Sequence, residues 1–409
     1  MKVLRNIGLL AACRPEGGQA ELHLVPGAAV AWDGGTIRWA GPEAELPAAY
    51  AGATLLDAGG RLVVPGLVDC HTHLVFGGWR GNEFEQRLQG ATYLDIARAG
   101  GGIMSTVRAT RAASDEELHR RALVALEGMR RLGVTTVECK SGYGLDRDTE
   151  LRILRLYRRL AQETPTRIVA TFLGAHVVPT EHRDDRGAYL RLLLDELIPA
   201  VAAEGLAACC DVFVEETAFS VEEGRRILLA GRAVGLRPKL HADQLSSCGG
   251  AELAAEVGAL SADHLECISD AGIGAMARAG VVAVSLPIAT LYLRQAPMPA
   301  RRLIDAGVPV AVATDFNPGS APSYDLPLAM MLACNLQRMT PAEALKGATI
   351  IAARALGLAG EVGAVAPGYR ADLAVIDAPD VNHWLYHFRS NACVMTVAAG
   401  QVCWTAPAS

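Results

Sequence analysis

No run of apolar residues in this 409-residue chain approaches the ~18 that a membrane helix needs; the longest, such as 281–284 and 308–313, end after a few positions. A soluble protein is expected. There is no excess of basic charge either, since 38 Lys and Arg stand against 44 Asp and Glu, and a net charge of -6 offers no field to a phosphate backbone. Neither nucleic acid nor a membrane is an expected partner. The ten cysteines form no CxxC pair and no framework of the kind a small secreted domain uses, so reduced thiols in a cytoplasm are expected. At the N-terminus Met1, Lys2 and Arg5 precede apolar residues 9–12 and Cys13, but Arg5 and Asn6 interrupt the stretch, which is too short for an export signal. A phosphate loop is missing too: Ala99 and the three glycines after it have no Lys-Ser/Thr behind them and read as a loop near a barrel mouth.

What is present is a globular composition, with 51% hydrophobic and 20% charged residues although only 5% are aromatic. Both chain ends read as short strands joined by glycine turns. Residues 28–32 and 36–40 flank Asp33-Gly34-Gly35, residues 54–57 and 61–64 flank Gly59-Gly60, and residues 371–376, 393–397 and 401–404 repeat the pattern around Ala399-Gly400. The two ends, 1–63 and 362–409, are expected to form one small β-sandwich-like domain. Between them, over 64–361, apolar runs of four to eight residues alternate with amphipathic stretches, which implies a parallel sheet built from βα units.

Candidate strands end near His73, Lys140, His176, Glu216, His241, His264, Pro287 and Asp315. Ser114 with Glu117 forms a capping-box pattern ahead of Leu118, Ala122, Ala125 and Met129, and Gly133 ends that helix; another helix spans about 148–162. Eight strands in about 300 residues, with helices between them, make an α/β protein of the (β/α)8 TIM-barrel type.

His71 and His73 lie two apart at the end of an apolar strand, so both imidazoles face one point. His241, His264 and Asp315 also end strands, where barrel enzymes gather catalytic residues from distant parts of the chain. Three neutral imidazoles and a carboxylate suit zinc or iron with a position left open for water, and such a metal lowers the pKa of its water from 15.7 to about 7. His264 is the first choice to handle the proton and Asp315 the second.

On these residues the chain resembles the amidohydrolase superfamily and, within it, the imidazolonepropionase family. The segments are 65–80 (PGLVDCHTHLVFGGWR), 82–90 (NEFEQRLQG), 140–145 (KSGYGL), 239–244, 260–266 (LSADHLE) and 313–320 (ATDFNPGS). The resemblance implies His71, His73, His241 and Asp315 as metal ligands, and Arg80, Tyr143, His176, Gln244, Asn317, Gly319 and Ser320 as substrate contacts. It implies hydrolytic opening of 4-imidazolone-5-propanoate in histidine degradation, with one zinc or iron ion per chain and a small anionic substrate as partner. An Arg fork suits a propanoate carboxylate, and Tyr143 and His176 can donate to a carbonyl or ring nitrogen. Taken alone, Arg80 reads as a surface charge, Tyr143 as a turn aromatic and His176 as a core histidine.

Many superfamily members carry Glu where Gln244 stands, and a glutamine orients a substrate but moves no proton. Glu215 and Glu216 end the fourth strand, where binuclear relatives place a carbamylated lysine, so a single metal is expected. An aminohydrolase of purine or pyrimidine bases is the alternative activity, with Gln244 against it. A non-catalytic metal-binding barrel is the alternative of another class, with the surplus strand-end histidine against it. Homodimers are common among such barrels.

Overall fold

A computed structural model describes residues 1–91, 95–96 and 100–407. Of the glycine-rich stretch, Ala99 lies outside the described residues, and Gly102 opens the helix Ile103–Ala112.

Eight parallel strands follow one another around a barrel: Leu67–Asp69, Val134–Lys140, Arg167–Ala175, Cys209–Val214, Arg237–Ala242, Ser261–His264, Val282–Ser285 and Val310–Val312. Most positions are buried on both faces, as expected of a parallel sheet wrapped in helices. The first and eighth strands meet through their extensions. Asp315 donates its N–H to the His71 carbonyl at 3.0 Å, and His73 donates to Phe316 at 2.9 Å. Lower on the same seam side chains replace backbone: Thr314 donates its N–H to Asp69 Oδ1 at 3.1 Å, and Gln19 both accepts from Val310 N–H at 3.0 Å and donates to the Val310 carbonyl at 2.7 Å.

The helix Asp115–Arg131 buries Leu118, Ala122, Ala125 and Met129, and Arg147–Glu163 buries Leu151, Leu154, Leu156 and Leu160. Ser114 caps the first by accepting from Glu117 N–H, but Glu117 turns outward to pair with Arg121, so half of the capping box forms.

The chain ends form a separate sheet of eight strands, mixed in direction. Its strand Lys2–Ala11 pairs antiparallel with Leu24–Asp33, which turns through Gly34 and Gly35 into Thr36–Pro42. The Gly59-Gly60 segment makes no hairpin. Thr54–Asp57 and Leu62–Pro65 both run parallel to Lys2–Ala11 along one edge, and the two positive-φ glycines let the chain bulge outward between them. Leu373–Ile376, Cys393–Ala398 and Gln401–Thr405 complete the sheet from the other chain end, antiparallel to one another.

Candidate active site

The barrel's C-terminal rim brings His71, His73, His176, His241, His264 and Asp315 into one buried cup. Ring centroids lie 4.5 Å apart for His71 and His241, 5.4 Å for His71 and His73, and 5.4 Å for His241 and His264. Asp315 Oδ1 lies 3.4 Å from His71 Nε2 and 3.5 Å from His73 Nε2. Ligand atoms of His71, His241 and His264 fall within 4.8 Å of one another, and so do those of His71, His73 and Asp315. Both His264 and Asp315 have positive φ, 81° and 56°, where a side chain other than glycine is strained. Such strain persists only where the surroundings impose it.

These donors fit a divalent metal. His71 Nε2, His73 Nδ1, His241 Nε2 and His264 Nδ1 are all buried with no hydrogen-bond partner. Each orphaned atom costs roughly 1–3 kcal/mol, and the Nε2 atoms of His71 and His241, on rings only 4.5 Å apart, mark a place where a cation is expected to satisfy them. The opposite ring nitrogens are held in place: His71 Nδ1 donates to Asp263 at 2.6 Å and His241 Nδ1 to Asp211 at 3.0 Å. Carboxylates behind ligand imidazoles fix the tautomer and aim the free nitrogen inward.

Burial disfavours a charge on His71, as does Lys140, but Asp263 and Asp315 outweigh both and its pKa is pushed up to about 9. Burial also opposes ionisation of Asp315, yet the imidazoles of His71 and His73 beside it hold the carboxyl well below the usual range. His241 is driven well below its ordinary value by burial.

Beneath the cup lies a buried ionic layer that the motifs alone did not reveal. Lys140 Nζ sits 2.8 Å from Glu138, 2.7 Å from Asp211 and 3.4 Å from Asp263, and Ser261 donates to Asp263 at 2.5 Å. A signal was available: Glu138 with Lys140, Lys239 with His241, and Ser261 with Asp263 are polar pairs two apart in buried strands, the period that faces one side. Glu215 is buried and accepts from Leu245 N–H at 2.8 Å and from the Ser246 hydroxyl.

Around the rim, His176 stacks on His73 with centroids 5.1 Å apart, and Tyr143 lies 5.5 Å from each. His176 Nδ1 lies 3.1 Å from the Gly142 carbonyl. A carbonyl only accepts, so Nδ1 carries the hydrogen. Burial and the neighbouring His73 bring the His176 pKa down to about 3, so the ring is neutral and its Nε2 is an acceptor rather than the expected donor. Tyr143 keeps its proton because burial pushes the phenol upward.

The KSGYGL loop that carries Tyr143 wraps around one carboxylate. Buried Glu150 accepts from Gly142 N–H at 3.1 Å, from Gly144 at 2.8 Å and from Leu145 at 3.0 Å. Gly142 itself has φ 102°, and a Cβ there would meet the Leu173 carbonyl at 2.8 Å.

Asn317 is spent on its own loop, donating to the Asp315 carbonyl at 2.6 Å and accepting from Gly319 and Ser320 N–H, both at 2.8 Å. Ser320 Oγ lies 3.5 Å from Asp315 Oδ2. Gly319 is where the Arg80 guanidinium lies, since a Cβ would come 2.2 Å from Nη1. Gln244 is half-buried just beyond the fifth strand.

A parallel eight-stranded barrel with an imidazole and carboxylate cup at its C-terminal rim defines a metal-dependent hydrolase. The amidohydrolase family model matches residues 62–403. The chain is 53% identical to an imidazolonepropionase of Myxococcus xanthus over 92% of its length and 90% of that protein's. It is 54% identical to one of Ralstonia nicotianae over 86% and 87%, and 48% identical to one of Geobacillus thermodenitrificans over 93% and 91%. The chain belongs to the amidohydrolase family and, within it, to the imidazolonepropionases. Among solved structures, atrazine chlorohydrolase from Arthrobacter aurescens complexed with zinc superposes with a TM-score of 0.77 at 17% identity, covering 98% of this chain and 95% of that one. An adenosine deaminase from Xanthomonas campestris with bound zinc gives 0.71 at 17%, covering 98% and 92%. Both likenesses speak to the fold.

Proposed function

We propose that the chain hydrolyses 4-imidazolone-5-propanoate to N-formimidoyl-L-glutamate in histidine degradation. The observation that carries this reading is the 53% identity to an imidazolonepropionase across nine-tenths of both chains. One ion, zinc or iron, is proposed per chain, with His71, His73, His241 and Asp315 as its ligands. When bound, it would polarise the carbonyl and acidify water at the open position.

The remaining work falls to side chains. Arg80 presents a planar fork to the propanoate carboxylate. Neutral His176 accepts a ring N–H at Nε2, and protonated Tyr143 donates to a ring oxygen or nitrogen, so the pair reads opposite edges of one heterocycle. Water adds to the ring amide carbonyl and gives up a proton to His264. The C–N bond then breaks and His264 returns the proton to the leaving nitrogen, which stays attached through its formimidoyl carbon. Asp315 stands second for this role. Gln244 orients the ring by hydrogen bonding. A cytoplasmic homodimer completes the proposal, with ten free thiols in support of a reducing compartment.

The test is to incubate the purified protein with imidazolonepropanoate and follow loss of its ultraviolet absorbance together with ammonia. Formimidoylglutamate should accumulate in equal amount to substrate lost, with ammonia at background. Faster release of ammonia from a purine or pyrimidine base would overturn the reading in favour of an aminohydrolase.

A further inference from the structure

Arg80 lies at the start of the helix Gly81–Leu88, and its Nε donates to Glu83 Oε2 at 2.9 Å. Both side chains are mostly buried, at 15% and 12% exposure, so the pair does not lie on open surface. Among the described residues neither Nη atom of Arg80 has a hydrogen-bond partner, and the guanidinium lies against Gly319, on the loop that carries Asp315. Tyr143 feels the positive charge of Arg80, so the fork stands close to the ring-binding wall.

The second oxygen of Glu83 is also committed. Oε1 accepts from Gly102 N–H at 2.9 Å and from Ser105 Oγ at 3.1 Å. Gly102 begins the helix Ile103–Ala112 and has no side chain to cap it, so Glu83 supplies from another helix the anion that a helix N-terminus favours. A carboxylate anchored at one oxygen by two donors cannot swing, and its other oxygen then holds Arg80 from the side.

We propose that Glu83 is a positioning residue that sets selectivity for a carboxylate-bearing substrate, by clamping Arg80 through Nε so that Nη1 and Nη2 face the cup as a two-pronged fork. An unclamped arginine pays rotamer entropy on every binding event, whereas a clamped one is ordered beforehand. The clamp also explains NEFEQRL: Glu83 is the one acidic residue of that segment three positions after Arg80, the spacing that brings side chains together on a helix.

The inference rests on the proposed activity, and the test separates the two. Steady-state kinetics on imidazolonepropanoate are measured for the native protein, Arg80→Met, Glu83→Gln and the double variant, with the melting midpoint of each. Glu83→Gln keeps the size of the side chain but replaces the acceptor that faces Nε or the one that faces Gly102. It should raise KM about 10-fold or more, the worth of a charge-assisted hydrogen bond, while kcat changes less than about threefold. In the Arg80→Met background the same change should cost less than about twofold, because no guanidinium remains to be aimed. Equal losses from Glu83→Gln in both backgrounds would show that it acts only through the fold, and would overturn the inference while leaving the activity intact. An unchanged KM in Glu83→Gln would overturn it as well. Glu83→Asp, which keeps the charge but is too short to span both partners, should resemble Glu83→Gln; full activity in that variant counts against a clamp. Absence of turnover in the native protein would instead dispose of the proposed activity.

Discussion

His264 carries a particular chemical tension. It ends the sixth strand at φ 81°, its Nδ1 is buried without a hydrogen-bond partner, and the nearest carboxylate, Glu266, is 3.8 Å away. A residue held in strain beside the cup, with a ring nitrogen left unpartnered, is suited to carry a proton that moves only during reaction. His264→Ala is therefore expected to retain one equivalent of metal, by elemental analysis, and to lower kcat by roughly 10² to 10⁴. Loss of the metal would make His264 a ligand with His71 and His241, which its position also permits. At this scale the sequence was informative about which residues gather, because strand ends in a barrel point to one place. It was silent on polarity. His176 reads as a donor from its type, and only the Gly142 carbonyl beside Nδ1 turns its free nitrogen into an acceptor.

Elements were legible where pattern and period agree, as in the helix Arg147–Glu163, found within a residue or two from its leucine face. The KSGYGL loop was legible only as a motif, because its shape depends on Glu150, a residue the helix period places on the buried face without giving a reason. That carboxylate gathers three backbone N–H groups, so Glu150→Gln, which turns one acceptor into a donor, leaves donors facing donors. It should cost about 1–3 kcal/mol of stability and move Tyr143, lowering kcat/KM on imidazolonepropanoate. A melting midpoint and rate equal to the native protein's would remove Glu150 from this role. The hairpin expected at Gly59-Gly60 failed for a different reason: two strands flanking glycines can extend along one neighbour as readily as pair with each other.

Elements also carry a pH signature. Arg186 hydrogen-bonds Glu223 at 2.5 and 2.7 Å, joining the helices Arg186–Arg191 and Val221–Ala233, and with help from Ser220 it brings the Glu223 pKa down to about 2. A depressed carboxyl stabilises the fold above its unfolded value, near 4.5, and that contribution is lost as pH falls toward 2. Arg186→Met should therefore narrow the difference in melting temperature between pH 6 and pH 3, measured by circular dichroism. An unchanged difference would assign the acid sensitivity to other carboxyls.

For the whole molecule, the alternation of strands and helices fixed the barrel, and glycine turns marked the second sheet. How the barrel closes could not be read. The closing strands are short, Leu67–Asp69 and Val310–Val312, and Gln19, which sits in a loop of the other chain region, had no motif around it. Its amide imitates the peptide of a missing strand residue, accepting from and donating to Val310. Gln19→Ala should leave that N–H and carbonyl without partners and lower the melting midpoint by the equivalent of about 1–3 kcal/mol. A midpoint within error of the native protein's would mean that solvent replaces it.

The side-chain seam has a further consequence. His71 and His73 stand on one lip of the barrel's joint and Asp315 on the other, so an ion gripped by all three would act as a rivet across the gap that Asp69 and Thr314 span lower down. Stripping the ion with a chelator should then do more than stop turnover. Amide protons around 310–315 should begin to exchange with solvent while those of strands on the opposite wall, such as Cys209–Val214, stay protected, so that the cylinder unzips along one line before it melts as a whole.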